Sequence, residues 1–259
     1  MTRALRISLL AALALGAAAT VPESAPIPPD KIPAAIHAAA TAPDRPDADK
    51  ALDAGRMPEQ MLAFFAVAPG MTVADLYAGG GYTTELLSRV VGPKGKVYSQ
   101  EPIFPPELKQ IEDAWTARLA RPVLANVVAV HKGVADDFLP APAESLDLVV
   151  INMNYHDLVL QNLDRDKLNA AVFRALKKGG VYGIVDHSAK PGSGAESLQL
   201  HRIDQAFLTQ EVEKAGFELE AASSALRRAD DDRTWSTSPR VAGEKRGTSD
   251  RFMLKFVKP

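Results

Sequence analysis

From residue 71 onward the chain alternates between two kinds of segment. Short segments enriched in Val, Ile, Leu and Tyr fall at residues 71–77, 95–100, 127–130, 146–151 and 181–185. Between them lie longer stretches whose apolar residues recur every three or four positions, at 83–91, 106–119, 166–178 and 197–215. A strand that is apolar throughout suits a parallel sheet covered on both faces, and the intervening periodicity suits helices. The pattern predicts one doubly wound α/β domain with a mostly parallel sheet and helices on both faces. Gly179 and Gly180 mark a helix stop before the fifth run. The last two runs, 217–222 and 252–257, follow without an intervening helix and predict an antiparallel C-terminal strand at the sheet edge.

Upstream the pattern changes. Residues 20–49 are rich in Pro, Ala and Asp, with Pro22, Pro26, Pro28, Pro29, Pro33, Pro43 and Pro46 and no sustained periodicity. They predict a linker, with a short turn of helix near 34–40, and order beginning at Lys50. A helix is expected to start at Pro58, bury Met61, Leu62, Phe64 and Phe65, and stop at Pro69-Gly70. Residues 1–19 join Arg3 and Arg6 to an apolar run that ends in Ala17-Ala18-Ala19. That arrangement is a signal peptide, which implies an exported, periplasmic chain; an N-terminal membrane anchor is the alternative. The run is shorter than the roughly 20 residues a membrane span needs, so no stable span is expected in the mature chain, residues 50–259 forming its folded domain.

Composition narrows the function classes. The 259 residues, 46% of them hydrophobic, suffice for one α/β domain with a substantial core. Lys+Arg number 30 against 32 Asp+Glu, so no basic excess exists to hold a nucleic-acid backbone. The absence of cysteine excludes disulfides, thiolate nucleophiles and thiolate metal sites.

The candidate chemistry starts where the first strand meets its helix. Asp75-Leu76-Tyr77-Ala78-Gly79-Gly80-Gly81 is an acidic, glycine-rich turn that opens a helix. It brings bare backbone N–H groups to a helix N-terminus, a setting for an anionic or hydroxyl-rich ligand. Glu101 lies 20 residues beyond Gly81, where such folds bind the two hydroxyls of a ribose. A dinucleotide fingerprint needs a third glycine, and Thr84 occupies that place, which argues against a nicotinamide oxidoreductase.

These residues together resemble the first motif of the class I S-adenosylmethionine-dependent methyltransferases. The likeness continues through Leu146–Ile151 as a fourth strand and Leu176-Lys177-Lys178-Gly179-Gly180-Val181 before the fifth, and covers about Lys50 to Pro259. It implies the Rossmann-like fold of that family and S-adenosyl-L-methionine as cofactor. Asp75, Tyr77, Gly79, Gly80, Gly81, Glu101 and Asn152 would then line the cofactor, with Glu101 on the ribose and Asp136 or Asp137 at the adenine. Methyl transfer would take place beside Asn152-Met153-Asn154-Tyr155-His156-Asp157.

By topology His156 is the candidate general base, with Asp157 beside it. Asp186 and His187, at the end of the fifth strand, fall on the same rim. Tyr155 and His201 are candidate substrate contacts, and His201, Asp204 and Gln205 share a face if residues 197–215 form one helix. No histidine pair has a His-x-His or i, i+4 spacing, so a metal is not expected, but a pocket of His156, His187 and His201 leaves a metal site with Asp186 or Asp157 open as the competing reading. The sequence supports a methyltransferase for a small-molecule acceptor, with an exported, non-catalytic ligand-binding protein on the same scaffold as the alternative. Acceptor atom and oligomeric state stay open.

Overall fold

The computed structural model describes residues 21–101, 107, 109–133 and 138–259. Eight strands form one sheet: β1 (Glu23–Ser24), β2 (Thr72–Leu76), β3 (Lys96–Glu101), β4 (Val127–His131), β5 (Leu146–Asn152), β6 (Leu176–His187), β7 (Glu218–Ser223) and β8 (Arg251–Val257). Their order is β1-β7-β8-β6-β5-β2-β3-β4. Only β8 runs antiparallel to its neighbours, β6 and β7. The chain leaves β2 outward through β3 and β4, then returns to β5 on the other side. The crevice of this doubly wound sheet therefore opens at the carboxyl ends of β2 and β5.

Side chains alternate between two cores. Val73, Val97, Leu148, Val150 and Met253 pack against α1 (Ala34–Ala40), α3 (Pro58–Phe64) and α4 (Tyr82–Val91). Ala74, Leu76, Val149, Ile151 and Leu254 face α6 (Tyr155–Leu160), α7 (Arg165–Ala175) and α8 (Gln205–Lys214). Both faces of the sheet are covered, as its continuous apolar strands require. Phe65 lies so close to the sheet that a Cβ on Gly183 would sit 2.8 Å from its ring, which explains a glycine inside β6.

Residues 21–49 are not a linker. β1 pairs with β7, and Ile36 in α1 is fully buried against α3 and α4. The next helix, α2 (Asp47–Arg56), is fastened by charge. Arg45 bonds Asp53 at 2.6 Å, Asp53 accepts the Tyr82 hydroxyl at 2.6 Å, and Arg118 of α5 (Lys109–Leu119) bonds Asp49 at 2.7 Å. The prolines start helices here instead of preventing them: Pro29 and Pro58 occupy first-turn positions, and Pro33 and Pro46 immediately precede α1 and α2.

Two other boundaries move. The helix expected to run to Lys178 ends at Ala175, and β6 starts at Leu176. The helix expected over 197–215 is a 3₁₀ turn at Glu196–Leu200 followed by α8, broken at His201, whose φ is +51°. His201 and Asp204 thus do not share a helix face; Asp204 caps α8 through the Ala206 amide. The expected signal peptide lies outside the described residues. Among those residues no helix is long and apolar enough to cross a membrane.

Candidate active site

The glycine turn is held from three sides. After β2 the chain bends at Tyr77, in the left-handed region at φ +53°. The Tyr77 amide donates to the Gln100 side chain and the Ala78 amide to the Gln100 carbonyl, both at 3.2 Å. Gly81 precedes α4 at φ +80°, where a Cβ would lie 2.1 Å from the Trp115 ring, so only glycine fits. Arg118 donates to the Gly81 carbonyl at 3.1 Å. Cβ positions at Gly79 and Gly80 meet nothing within 4 Å among the described residues, so this stretch of backbone is not packed against them.

Glu101 closes the turn from the end of β3. It is fully buried, and one carboxylate oxygen accepts the Gly79 amide at 2.9 Å. Among the described residues the other, Oε1, has no hydrogen-bond partner, although the nearby Ser99 hydroxyl favours the charged form. Burial, with the Asp75 charge second, pushes the Glu101 carboxyl up to about 9. The indole Nε1 of buried Trp115 is also without a hydrogen-bond partner among the described residues.

Asp75 is placed differently from the expectation. Its side chain lies on the α4 side of the sheet, fully buried, and accepts the Thr84 hydroxyl at 2.6 Å. Burial raises its carboxyl to about 7. Thr84, the residue that replaces the third glycine, is therefore the partner of Asp75. Asp75 braces the first turn of α4 and does not line the open side of the loop. Asp136 and Asp137 lie outside the described residues.

The end of β5 is latched to the same turn. Asn152 donates to the Thr83 hydroxyl at 3.0 Å. The Asn154 side chain bridges the carbonyls of Tyr77 and Asn152, each at 3.0 Å. Sequence reasoning passes over Asn154, although an amide-bearing residue before a helix is a recognisable cap type.

Beyond Asn154 the histidines and acids converge. His156 is buried at the start of α6, and its Nδ1 lies 2.6 Å from Asp186, a fully buried acid at the end of β6. Asp186 also accepts the backbone amides of His156 at 2.9 Å and His187 at 2.7 Å. Nδ1 donates to the Asp186 side chain, so in the neutral imidazole it is Nε2 that carries the lone pair. Nε2 lies 3.4 Å from Asp157, which lies 3.1 Å from Nδ1 of His201. Burial lowers the His156 pKa, but the charge and hydrogen bond of Asp186, with Asp157, outweigh it and hold the imidazole above its ordinary range. The His187 ring stands 5.7 Å from that of His156, with Nδ1 2.8 Å from the Ser249 hydroxyl. Burial and the neighbouring His156 drive His187 well below its usual range. Tyr77 belongs to the same surroundings: burial, then the Asp157 charge, pushes its phenol up to about 12.

The structure thus brings His156, Asp157, Asp186, His187 and His201 together, but not Tyr155. That ring is fully buried in the core beneath α6, and its hydroxyl accepts from Asn169 at 2.9 Å and contacts Glu211 at 3.1 Å. The Tyr155 ring packs among core side chains and its hydroxyl is taken by Asn169 and Glu211, so it has no free polar group on the crevice side. Tyr155 opens α6 and faces α7 and α8, while His156, one helical step of about 100° further on, faces Asp186. Ser249 is invisible to sequence reasoning because only the strand pairing of β6 with β8 brings it to His187.

No family model matches the chain. Two curated relatives share the name ubiquinone/menaquinone biosynthesis C-methyltransferase UbiE. The protein of Pasteurella multocida is 31% identical over 126 residues, which cover 47% of this chain and 42% of that one. The protein of Shewanella halifaxensis is 27% identical over 186 residues, covering 58% and 67%. The chain therefore spans under half of the first relative and about two thirds of the second. Among solved structures, a SAM-dependent methyltransferase from Aquifex aeolicus superposes with a TM-score of 0.57 at 20% identity, covering 82% of this chain and 98% of that one.

Proposed function

We propose that this chain, which has the fold of the class I S-adenosylmethionine-dependent methyltransferases, transfers a methyl group from that cofactor to a small-molecule acceptor. One observation carries the reading: the fully buried Glu101 holds the glycine turn with one oxygen and, among the described residues, leaves the other without a hydrogen-bond partner. A buried, unpaired carboxylate oxygen is costly, and a ribose diol supplies the hydroxyl donors it lacks. The residues present fit the cofactor. Glu101 would hold the ribose, the backbone of Gly79, Gly80 and Gly81 would border the amino-acid part, and Asn152 and Tyr77 would flank it.

The cofactor supplies a methyl group already activated by its sulfonium. What remains for the protein is to position the acceptor, exclude water and take a proton. His156 is suited to taking the proton, because Asp186 fixes its Nδ1 hydrogen and Nε2 is left to accept another. Asp157 and His201 complete that wall, and His187, kept neutral, stands beside it. The likeness to C-methyltransferases makes ring carbon one acceptor class among several. We further propose that residues 1–19 direct the chain out of the cytoplasm.

Incubation of the chain with methyl-labelled S-adenosylmethionine and a panel of phenols, quinols, amines and thiols tests the reading. Label in an acceptor, with equimolar S-adenosylhomocysteine, is the expected result. Binding without transfer to any acceptor points to a ligand-binding protein, and binding of NAD instead refutes the cofactor.

A further inference from the structure

The sequence spacing carries no metal signature, yet the fold assembles one. Ligand atoms of His156, Asp157 and His201 all lie within 4.8 Å of one another. His156 Nε2 stands 3.4 Å from Asp157 Oδ1, and His201 Nδ1 stands 3.1 Å from the same oxygen. Four ligands about 2.1 Å from one ion stand about 3.4 Å apart along the edges of a tetrahedron. Two of the trio's three edges are therefore close to the spacing an ion imposes, and the third, between the histidine nitrogens, is within 4.8 Å.

Three further features favour an ion over a chain of ordinary hydrogen bonds. His156 is buried and presents Nε2 to the group, because Nδ1 is taken by Asp186. A carboxylate behind a ligating histidine fixes its tautomer and raises its basicity, the usual second layer of a metal site. Asp186 is itself fixed by the His156 and His187 amides. His201 is delivered by a non-glycine residue at φ +51°, a conformation L residues seldom adopt, and its ring meets that of His156 at a centroid distance of 5.4 Å. His201 and Asp157 are partly exposed, so an ion has a route in.

We propose that His156, Asp157 and His201 form a three-ligand site for one divalent transition-metal ion, zinc or a similar nitrogen-preferring ion, with a fourth position open towards the acceptor. Two histidines and one carboxylate with an open position is a donor set used by catalytic zinc and by non-haem iron(II). Only its place in catalysis rests on the methyltransferase reading; the ion site stands on the side chains alone. A bound ion and a proton-accepting Nε2 exclude each other, so with metal present the ion holds the acceptor and lowers its pKa in place of the free imidazole.

Untagged protein stripped with chelator and titrated with zinc chloride, by calorimetry and by cobalt(II) absorption, tests the site. One ion per chain is expected. His201→Ala and Asp157→Asn, both at partly exposed positions, should abolish saturable binding, and Asp186→Asn should weaken it about 10–100-fold. Circular dichroism confirms that each variant is folded; if His201→Ala is not, Asp157→Asn decides. No saturable binding to the wild type, or binding unchanged in folded Asp157→Asn, overturns the proposal. Calorimetry with S-adenosylhomocysteine on the same samples reads the cofactor separately, so failure of the ion site leaves the methyltransferase reading intact, and the reverse.

Discussion

Replacing Glu101 by Gln should make this protein more stable and worse at binding its cofactor. The folded carboxyl keeps its proton up to about pH 9, against an ordinary value of 4.5. Between those values the unfolded chain has lost a proton that the folded chain retains, so wild-type stability falls as pH rises through the window. Below pH 4.5 both states are protonated and the penalty vanishes; above about 9 it is complete. At pH 7 the difference from 4.5 is about 2.5 pK units, an upper bound of about 3–4 kcal/mol. Gln carries no such proton, and its amide oxygen can still accept the Gly79 amide. The variant should therefore melt roughly 5–10 °C above the wild type near pH 7–8 and about level with it near pH 4.5. Its affinity for S-adenosylhomocysteine should drop by about one to two orders of magnitude, since an amide NH2 takes the place of an oxygen that would accept a ribose hydroxyl, and leaving such a group without its partner costs about 1–3 kcal/mol. Scanning calorimetry across pH with parallel binding titrations reads both effects. A Glu101→Gln protein less stable than the wild type at pH 8, or one that binds the cofactor unchanged, would refute the reasoning.

Other substitutions test other parts of the structure. Ile36→Ala, in the segment whose composition predicts a linker, should cost about 2–5 kcal/mol in urea unfolding, because it empties a fully buried site between α1, α3 and α4. A loss below about 0.5 kcal/mol would mean that α1 does not pack as described. Gly81→Ala combines a positive φ with a Cβ driven into Trp115, and should lose at least about 2 kcal/mol and most cofactor binding. Asp186→Asn releases the hold on His156 and should lower kcat about 10²-fold or more while the Kd for S-adenosylhomocysteine stays within about twofold. Equal losses in both would place Asp186 in cofactor binding instead. The N-terminus of the natural protein, read by mass spectrometry, should follow Ala19, and a start at Met1 would end the case for export.

The sheet from β2 to β6 and its antiparallel partner β8 can be read from apolar periodicity, because strands buried on both faces leave an unbroken record. The glycine turn and Glu101 are readable for a related reason: a bare backbone at a helix N-terminus and an acid at the next strand end are spacing rules. Asp75 misleads because a carboxylate beside a glycine loop looks the same whether it faces the ligand or, as here, Thr84 behind it. The segment 21–49 escapes sequence reading because its stability comes from Ile36 and from the polar bonds of Arg45 to Asp53 and of Asp49 to distant Arg118, none of which leaves a local pattern. Tyr155 shows the limit of topology. Its neighbours point at the crevice, but one helical step turns it into the core. His201 reaches Asp157 only because a 3₁₀ turn breaks what periodicity suggests is one helix.

Calorimetric titration of the chain with S-adenosylhomocysteine, in wild type and in Glu101→Ala, bears most directly on the cofactor assignment. One-site binding to the wild type, lost or severely weakened in the variant while NAD gives no heat, is the expected outcome. No binding to the folded wild type, or equal affinity in the two proteins, would contradict it.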